Sequence, residues 1–248
     1  MQRYFINQPT PTNTQFVIDD TNLHHMLRVM RMKSNDQAIL VFQDETAILS
    51  KVVEISPEKI TYEKVEVLTR VVELPAQITI ASGFPKGEKI EWITQKATEL
   101  GVYECLFFPS ERSVAKWDGK KLAKKQERLQ KIAQEAAEQS HRTHLPKVTL
   151  LETRQALTEK LKEYDHILIA YEETAKTGEK SAFKQLLEAI KPNEKILAIF
   201  GSEGGLSPKE VATYESQKAI CIALGPRILR TETAPLYFLS AVSTLLEL

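Results

Sequence analysis

Five near-continuous apolar runs beyond residue 75 constrain this chain most: "AQITIASG", "ECLFFPS", "DHILIAYEE", "KILAIFGSEGG" and "AICIALG". A strand covered on one face alternates apolar with polar residues, whereas an unbroken run needs cover on both faces. Helix-length stretches separate most of these runs, at Lys86–Leu100, Asp118–His141, Ala182–Ile190, Pro208–Ser216 and Thr231–Leu248. Strands alternating with helices predict an α/β domain around a largely parallel sheet.

Residues 1–72 follow another grammar. "RYFIN", "QFVID", "QAILVFQ", "ETAILSKVVEI" and "KITYEKVEVL" are short β-branched runs broken by Pro, Asn, Asp or Ser-Pro, with one helical patch, "DDTNLHHMLRVMRM". Short strands without βαβ spacing suggest a small barrel. The boundary falls near Glu73–Pro75, giving domains at 1–72 and 73–248.

Charge excludes a molecule that binds nucleic acid through an overall positive field, because Lys and Arg balance Asp and Glu at 33 each. Any such function rests on local patches. Residues 86–147 hold 13 basic against 9 acidic side chains, and residues 1–72 hold 8 against 9. The run "KWDGKKLAKKQERLQK" reads either as a solvated helix face or as a basic rim for RNA. Cys105 and Cys221 lie far apart in apolar runs and read as reduced thiols. The N-terminus "MQRYFINQPT" has no apolar leader, and no run is long enough to span a membrane, so the chain is expected to be soluble and cytoplasmic. His141 and His144 are three apart without a third ligand nearby, and no metal is expected.

The chemistry concentrates in "FGSEGGLSPKE", Phe200 to Glu210. Ser207, Pro208 and Glu210 form a capping-box helix start, so a strand, a glycine loop and a helix follow in order. Gly201, Gly204 and Gly205 permit close backbone approach or positive φ. No phosphate-binding glycine motif is present, and Glu203 would repel a phosphate; a hydroxyl, amine or cation suits it better. A tight structural turn explains this loop alone equally well. A second loop, "IALGPRILRTETAP", again leaves a strand and enters a helix, with Thr231 or Thr233 as its cap and Pro235 in the first turn. A third strand end, "LIAYEET", closes the set. Together the three make a plausible small-molecule site. The row Arg128, Glu135, Gln139 and Arg142 lines one side of a helix opposite Leu122, Leu129, Ala133 and Ala136.

"GSEGGLS" and "LGPRILRTETA" closely resemble the SPOUT-class (α/β-knot) methyltransferases, and within them the methyltransferase E family, which methylates N3 of a uridine in 16S ribosomal RNA. "LHHMLRVMRMKSND", "KGEKIEWITQKATELGV", "PSERSV" and "KIAQEAAEQSHRTHLP" match that family in order and spacing over the whole chain. Ser202 stands where the family usually has Pro, Leu206 where Phe often follows Gly-Gly, and Asn35-Asp36 replaces a common Gly-Asp.

The resemblance implies a PUA-like N-terminal barrel, a C-terminal domain with a deep trefoil knot, a homodimer, and S-adenosylmethionine as cofactor. It places the cofactor against three loops. Ala170, Tyr171 and Glu172 form the first; Phe200, Gly201, Ser202, Glu203, Gly204 and Gly205 form the second. Leu224, Gly225, Ile228, Leu229, Arg230, Thr233 and Ala234 form the third. Arg230 is expected to stabilise negative charge on the uracil, with Glu232 as base or as the group orienting Arg230; the alternative for both is a buried ion pair fixing the last helix. Glu135, Gln139 and Arg142 are expected to pack near the active cleft. For RNA it points to Arg3, His24, His25, Arg28, Arg31 and Lys33 on the barrel, and to Lys86, Arg112 and Arg142 beyond it.

Overall fold

The computed structural model describes residues 1–115, 117, 119–171 and 181–248. It divides into two units: Met1–Glu73 with Ala137–Leu145, and Leu74–Ala136 with Pro146–Leu248.

In the first unit, β1 (Gln2–Phe5), β2 (Gln15–Ile18), β3 (Gln37–Val41), β4 (Ala47–Ile55) and β5 (Ile60–Leu68) form one mixed sheet. Its order is β1-β3-β4-β5-β2, so β1 and β2 are the end strands. Only β1 and β3 run parallel; the other pairs are antiparallel. Alternation along the strands turns Tyr4, Ile18, Leu40, Ile48, Val52, Ile60 and Tyr62 into one core. Two register shifts in the β4–β5 ladder bend this sheet. The helical patch is a short π-type turn, His25–Val29, anchored by Met26 in the core. The Tyr62 hydroxyl donates to the sulfurs of Met26 and Met32, at 3.4 and 3.5 Å.

The sequence places a single boundary near Glu73–Pro75, whereas Ala137–Leu145 groups with the N-terminal unit. Arg142 explains this. Its guanidinium is buried, and Nε donates to Glu73 Oε2 at 3.0 Å. The other Glu73 oxygen accepts the amides of Thr143 and His144, at 2.8 and 3.0 Å. Arg3 in turn donates to the Arg142 carbonyl at 2.9 Å.

In the second unit, β6 (Gln77–Gly83), β7 (Glu104–Phe108), β8 (Lys147–Leu150), β9 (His166–Ala170), β10 (Lys195–Phe200) and β11 (Ile220–Ile222) form a six-stranded sheet. The order is β11-β9-β10-β6-β7-β8 and every pair is parallel. Both faces are covered, which is why the runs show no polar alternation. Ile78, Ile80, Phe107, Ile196 and Phe200 face one core; Ala81, Leu106, Phe108, Leu197 and Ile199 face the other. The helices are α1 (Lys89–Glu99), α2 (Gly119–Gln139), α3 (Arg154–Lys160), α4 (Ser181–Ala189), α5 (Pro208–Glu215) and α6 (Thr233–Glu247). The α2 stripe of Leu122, Leu129, Ala133 and Ala136 is buried as its spacing predicts. Helix α6 packs on α1 and β10, where Phe238 meets Phe200 edge to face.

Strand β8 and helix α3 are absent from the sequence reading. "KVTL" is too short to stand out as a run, but α3 does carry a signal: Thr153 caps it by accepting from the Ala156 amide at 3.1 Å.

Candidate active site

Because every strand of this sheet is parallel, the loops after β6, β7, β9, β10 and β11 leave from the same edge, where ligands of open α/β sheets bind. The loop after β10 is a tight turn. The Gly205 amide donates to the Ser202 carbonyl at 2.8 Å, and Gly205 has φ +70°. Gly201 and Gly204 are glycines for a different reason. A Cβ on Gly201 would come within 2.5 Å of the Gly205 backbone, and one on Gly204 within 2.7 Å of the Arg112 side chain. The glycines therefore let loops pack on each other.

That packing is specific. The Ser110 hydroxyl donates to Ser202 Oγ at 3.2 Å, and Arg112 Nη1 donates to the Gly204 carbonyl at 3.0 Å. A Cβ on Gly83 would lie 2.7 Å from both Ser110 Oγ and the Ser202 amide. The capping box of α5 forms as expected: Ser207 Oγ accepts from the Glu210 amide and Glu210 Oε2 from the Ser207 amide. Glu210 is buried and its other oxygen accepts the Glu111 amide at 2.8 Å, which joins the loops after β7 and β10. Ser207 Oγ also donates to Glu111 Oε2 at 2.7 Å, a bond that holds the Glu111 carboxyl below the ordinary range.

Lys89, the first residue of α1, sits between two glutamates. Its Nζ donates to Glu203 Oε1 at 3.0 Å and lies 3.2 Å from Glu232 Oε2, an ion pair without the alignment of a hydrogen bond. Glu203 Oε1 also accepts the Lys86 amide at 3.0 Å. Burial pushes the Glu203 carboxyl up, but the Lys86 amide and the Lys89 ammonium outweigh it and hold Glu203 below the carboxylate range. The bond to Glu203, with help from Glu232, raises Lys89. Sequence reasoning missed Lys89 because its partners are 114 and 143 positions away.

The third loop differs from expectation in two ways. Neither Thr231 nor Thr233 caps α6: Glu232 occupies the cap position without a side-chain bond, and the Arg230 carbonyl accepts the amides of Thr233 and Ala234 instead. Nor do Arg230 and Glu232 form an ion pair. Arg230 is exposed, and its guanidinium makes no hydrogen bond or ion pair among the described residues. Gly225 has φ +94°, Ile228 is 77% exposed, and Leu224 and Leu229 are half-buried. Ala170 ends β9 and Tyr171 follows it, both half-buried, whereas Glu172 lies outside the described residues. Phe200 has its ring in the core and offers only its backbone.

The residues expected to meet RNA split in the same manner. His24, His25, Arg28, Arg31 and Lys33 are exposed on and after the π-type turn, beside exposed Val29 and Met30. Lys86 and Arg112 are exposed in the second unit. Arg3 and Arg142 are not surface groups: both are buried and used within the first unit, and desolvation lowers Arg3. Arg128 pairs with Glu91 at 2.8 Å, and Glu135 is exposed near Lys131. Cys105 is buried and Cys221 half-buried, and among the described residues neither is in a disulfide. Among the described residues no group of three or more His, Cys, Asp or Glu could hold a metal ion, and no helix is long and apolar enough to cross a membrane.

The model of the RNA methyltransferase domain family matches residues 72–243, and that of the RNA methyltransferase PUA domain matches residues 18–64. The Ribosomal RNA small subunit methyltransferase E of Bacillus subtilis (strain 168) is 44% identical over 100% of this chain and 98% of its own. The chain belongs to the methyltransferase E family. Among solved structures, the methyltransferase E of Neisseria gonorrhoeae bound to S-adenosyl methionine is 27% identical with a TM-score of 0.81, covering 99% of this chain and 98% of that one. A Legionella pneumophila methyltransferase in complex with its cofactor SAM is 25% identical with a TM-score of 0.79, covering 98% and 96%. Membership in the methyltransferase E family accounts for the pairing of a PUA domain with a parallel α/β domain.

Proposed function

We propose that this RNA methyltransferase transfers the methyl group of S-adenosylmethionine to N3 of a uridine in 16S ribosomal RNA, working in the cytoplasm as a homodimer. The observation that carries the reading is the clustering of the second and third loops around Lys89, with Arg230 exposed two residues before Glu232. The residues suit this cofactor, which has hydroxyls, an ammonium and a sulfonium but no phosphate. Glu203, held through Oε1, suits a hydroxyl or a cationic group. Backbone groups of Gly201, Leu224 and Gly225 suit a ribose and an adenine, and Ile228 and Leu229 offer apolar cover. The cofactor supplies an electrophilic methyl carbon; the chain has to align N3 with it and stabilise the charge left when the imide proton departs.

Arg230 is the residue for that charge. A guanidinium stays ionised and forks toward planar oxygen acceptors such as O2 and O4 of uracil. The exposed His24, His25, Arg28, Arg31 and Lys33 supply the phosphate contacts and stacking surfaces that an extruded or single-stranded uridine needs. Lys86 and Arg112 add positive charge on the second unit.

A tritiated-methyl transfer assay on small-subunit rRNA tests the activity. Mass mapping of rRNA from a deletion strain tests the base and site: loss of one methyl on one uridine is expected, and an unchanged rRNA mass map would sink the assignment. An active wild type that methylates another base would correct the target alone. Light scattering tests the dimer.

A further inference from the structure

Lys89 is placed against the ordinary preference of its helix. It is the first residue of α1, where the helix dipole disfavours a cation. Two carboxylates from distant loops justify it: Glu203 at 3.0 Å and Glu232 at 3.2 Å from the same nitrogen. These carboxylate oxygens are therefore at most about 6 Å apart, a range over which like charges repel. Remove the ammonium and the loops that carry them are pushed apart.

We infer that Lys89 is a positioning residue that ties the loop of Glu203 to the loop of Glu232, and that Glu232 anchors this tie and does not take the N3 proton. The inference rests on the function proposed above. Three observations support it. Glu203 Oε1 is doubly held, by the Lys86 amide and Lys89, which restrains the carboxyl. Glu232 Oε2 is buried and turned to Lys89. Glu232 directly follows Thr231, itself buried, one residue after Arg230, so fixing Glu232 limits where Arg230 can reach. The charges that meet Lys89 are Glu203 and Glu232, and Lys89 is the charge that meets Glu203.

The test compares Lys89→Met, Lys89→Arg, Glu203→Gln, Glu232→Gln and the Lys89→Met/Glu203→Gln double variant. Calorimetric binding of S-adenosylmethionine and single-turnover methyl transfer are the readouts. Lys89→Met should weaken cofactor binding about tenfold and slow transfer by about tenfold to a hundredfold, because small misplacements are costly. Lys89→Arg should recover part of both. The double variant should bind no worse than the poorer single one, since both remove the same tie. Glu232→Gln should lower the pH–rate profile and keep its shape. Normal binding and transfer in Lys89→Met, multiplicative losses in the double variant, or a profile flattened by Glu232→Gln would each overturn the proposal. So would failure of Lys89→Met to fold, which assigns Lys89 to the scaffold. A wild type that binds S-adenosylmethionine but leaves rRNA unmethylated would sink the proposed function alone, since the binding cycle can still be measured.

Discussion

Each unit of this protein sets a glutamate against a basic side chain brought from far along the chain, and the two pairs do different work. In the first unit Glu73, 21% exposed, meets Arg142, 4% exposed, and every Glu73 oxygen is occupied by Arg142, Thr143 or His144. In the second, Lys89 meets Glu203 and Glu232 with side chains 33%, 28% and 19% exposed. A closed pair around a buried guanidinium is scaffold, because losing the carboxylate strands a buried charge. An open pair contributes little stability and leaves groups facing a ligand. Burial of the cation separates the two roles, since the glutamates are similarly half-covered.

Breaking the closed pair should show the largest effect. Arg142→Ala should cost about 3–5 kcal/mol, measured by denaturant unfolding of the full chain. If the loss is small while RNA affinity falls, Arg142 belongs with the RNA-contacting groups after all. Next comes Arg230→Ala, on the open side. It should lower turnover by about 10²–10³-fold while S-adenosylmethionine affinity changes little, as for removal of a charge-stabilising donor. Unchanged turnover would remove Arg230 from the chemistry.

Gly201→Ala probes the turn that carries Glu203. With the Gly205 backbone 2.5 Å from the new Cβ, it should cost about 1–3 kcal/mol and weaken cofactor binding together. Acid sharpens the comparison further. Burial raises the Glu73 carboxyl, but Arg142 and the two amides outweigh it and leave it depressed. Its contribution is therefore complete above the ordinary carboxylate range and lost as pH falls through the depressed value. Unfolding curves at descending pH should show this loss in wild type and not in Glu73→Gln. The smallest effect is Lys89→Met on stability, below about 1 kcal/mol. A larger loss would make the open pair scaffold too.

Much of the local structure of the candidate site was legible from short stretches. The capping box at Ser207–Glu210 is a pattern of neighbours, and it forms. The glycines of the β10 loop were recognisable as constrained, though for positive φ only at Gly205; Gly201 and Gly204 answer to the Gly205 backbone and Arg112. Thr231 and Thr233 look like caps, yet the Arg230 carbonyl serves the α6 start instead. The helix row ending at Arg142 extends past the real helix end at Gln139, and the last member turns inward to Glu73.

The sequence by itself determined the two-part organisation, the parallel sheet and the loops at its edge, because strand cover and helix starts depend on residues a few positions apart. Tertiary structure alone decided which charges meet. Lys89 with Glu203 and Arg142 with Glu73 are separated by 114 and 69 positions, and such partners are chosen by how the chain closes and by which ends dry. A lysine in "KGEKIEW" and an arginine in "SHRTHLP" look equally exposed in the sequence; folding buried the arginine against Glu73 and left the lysine partly exposed between Glu203 and Glu232.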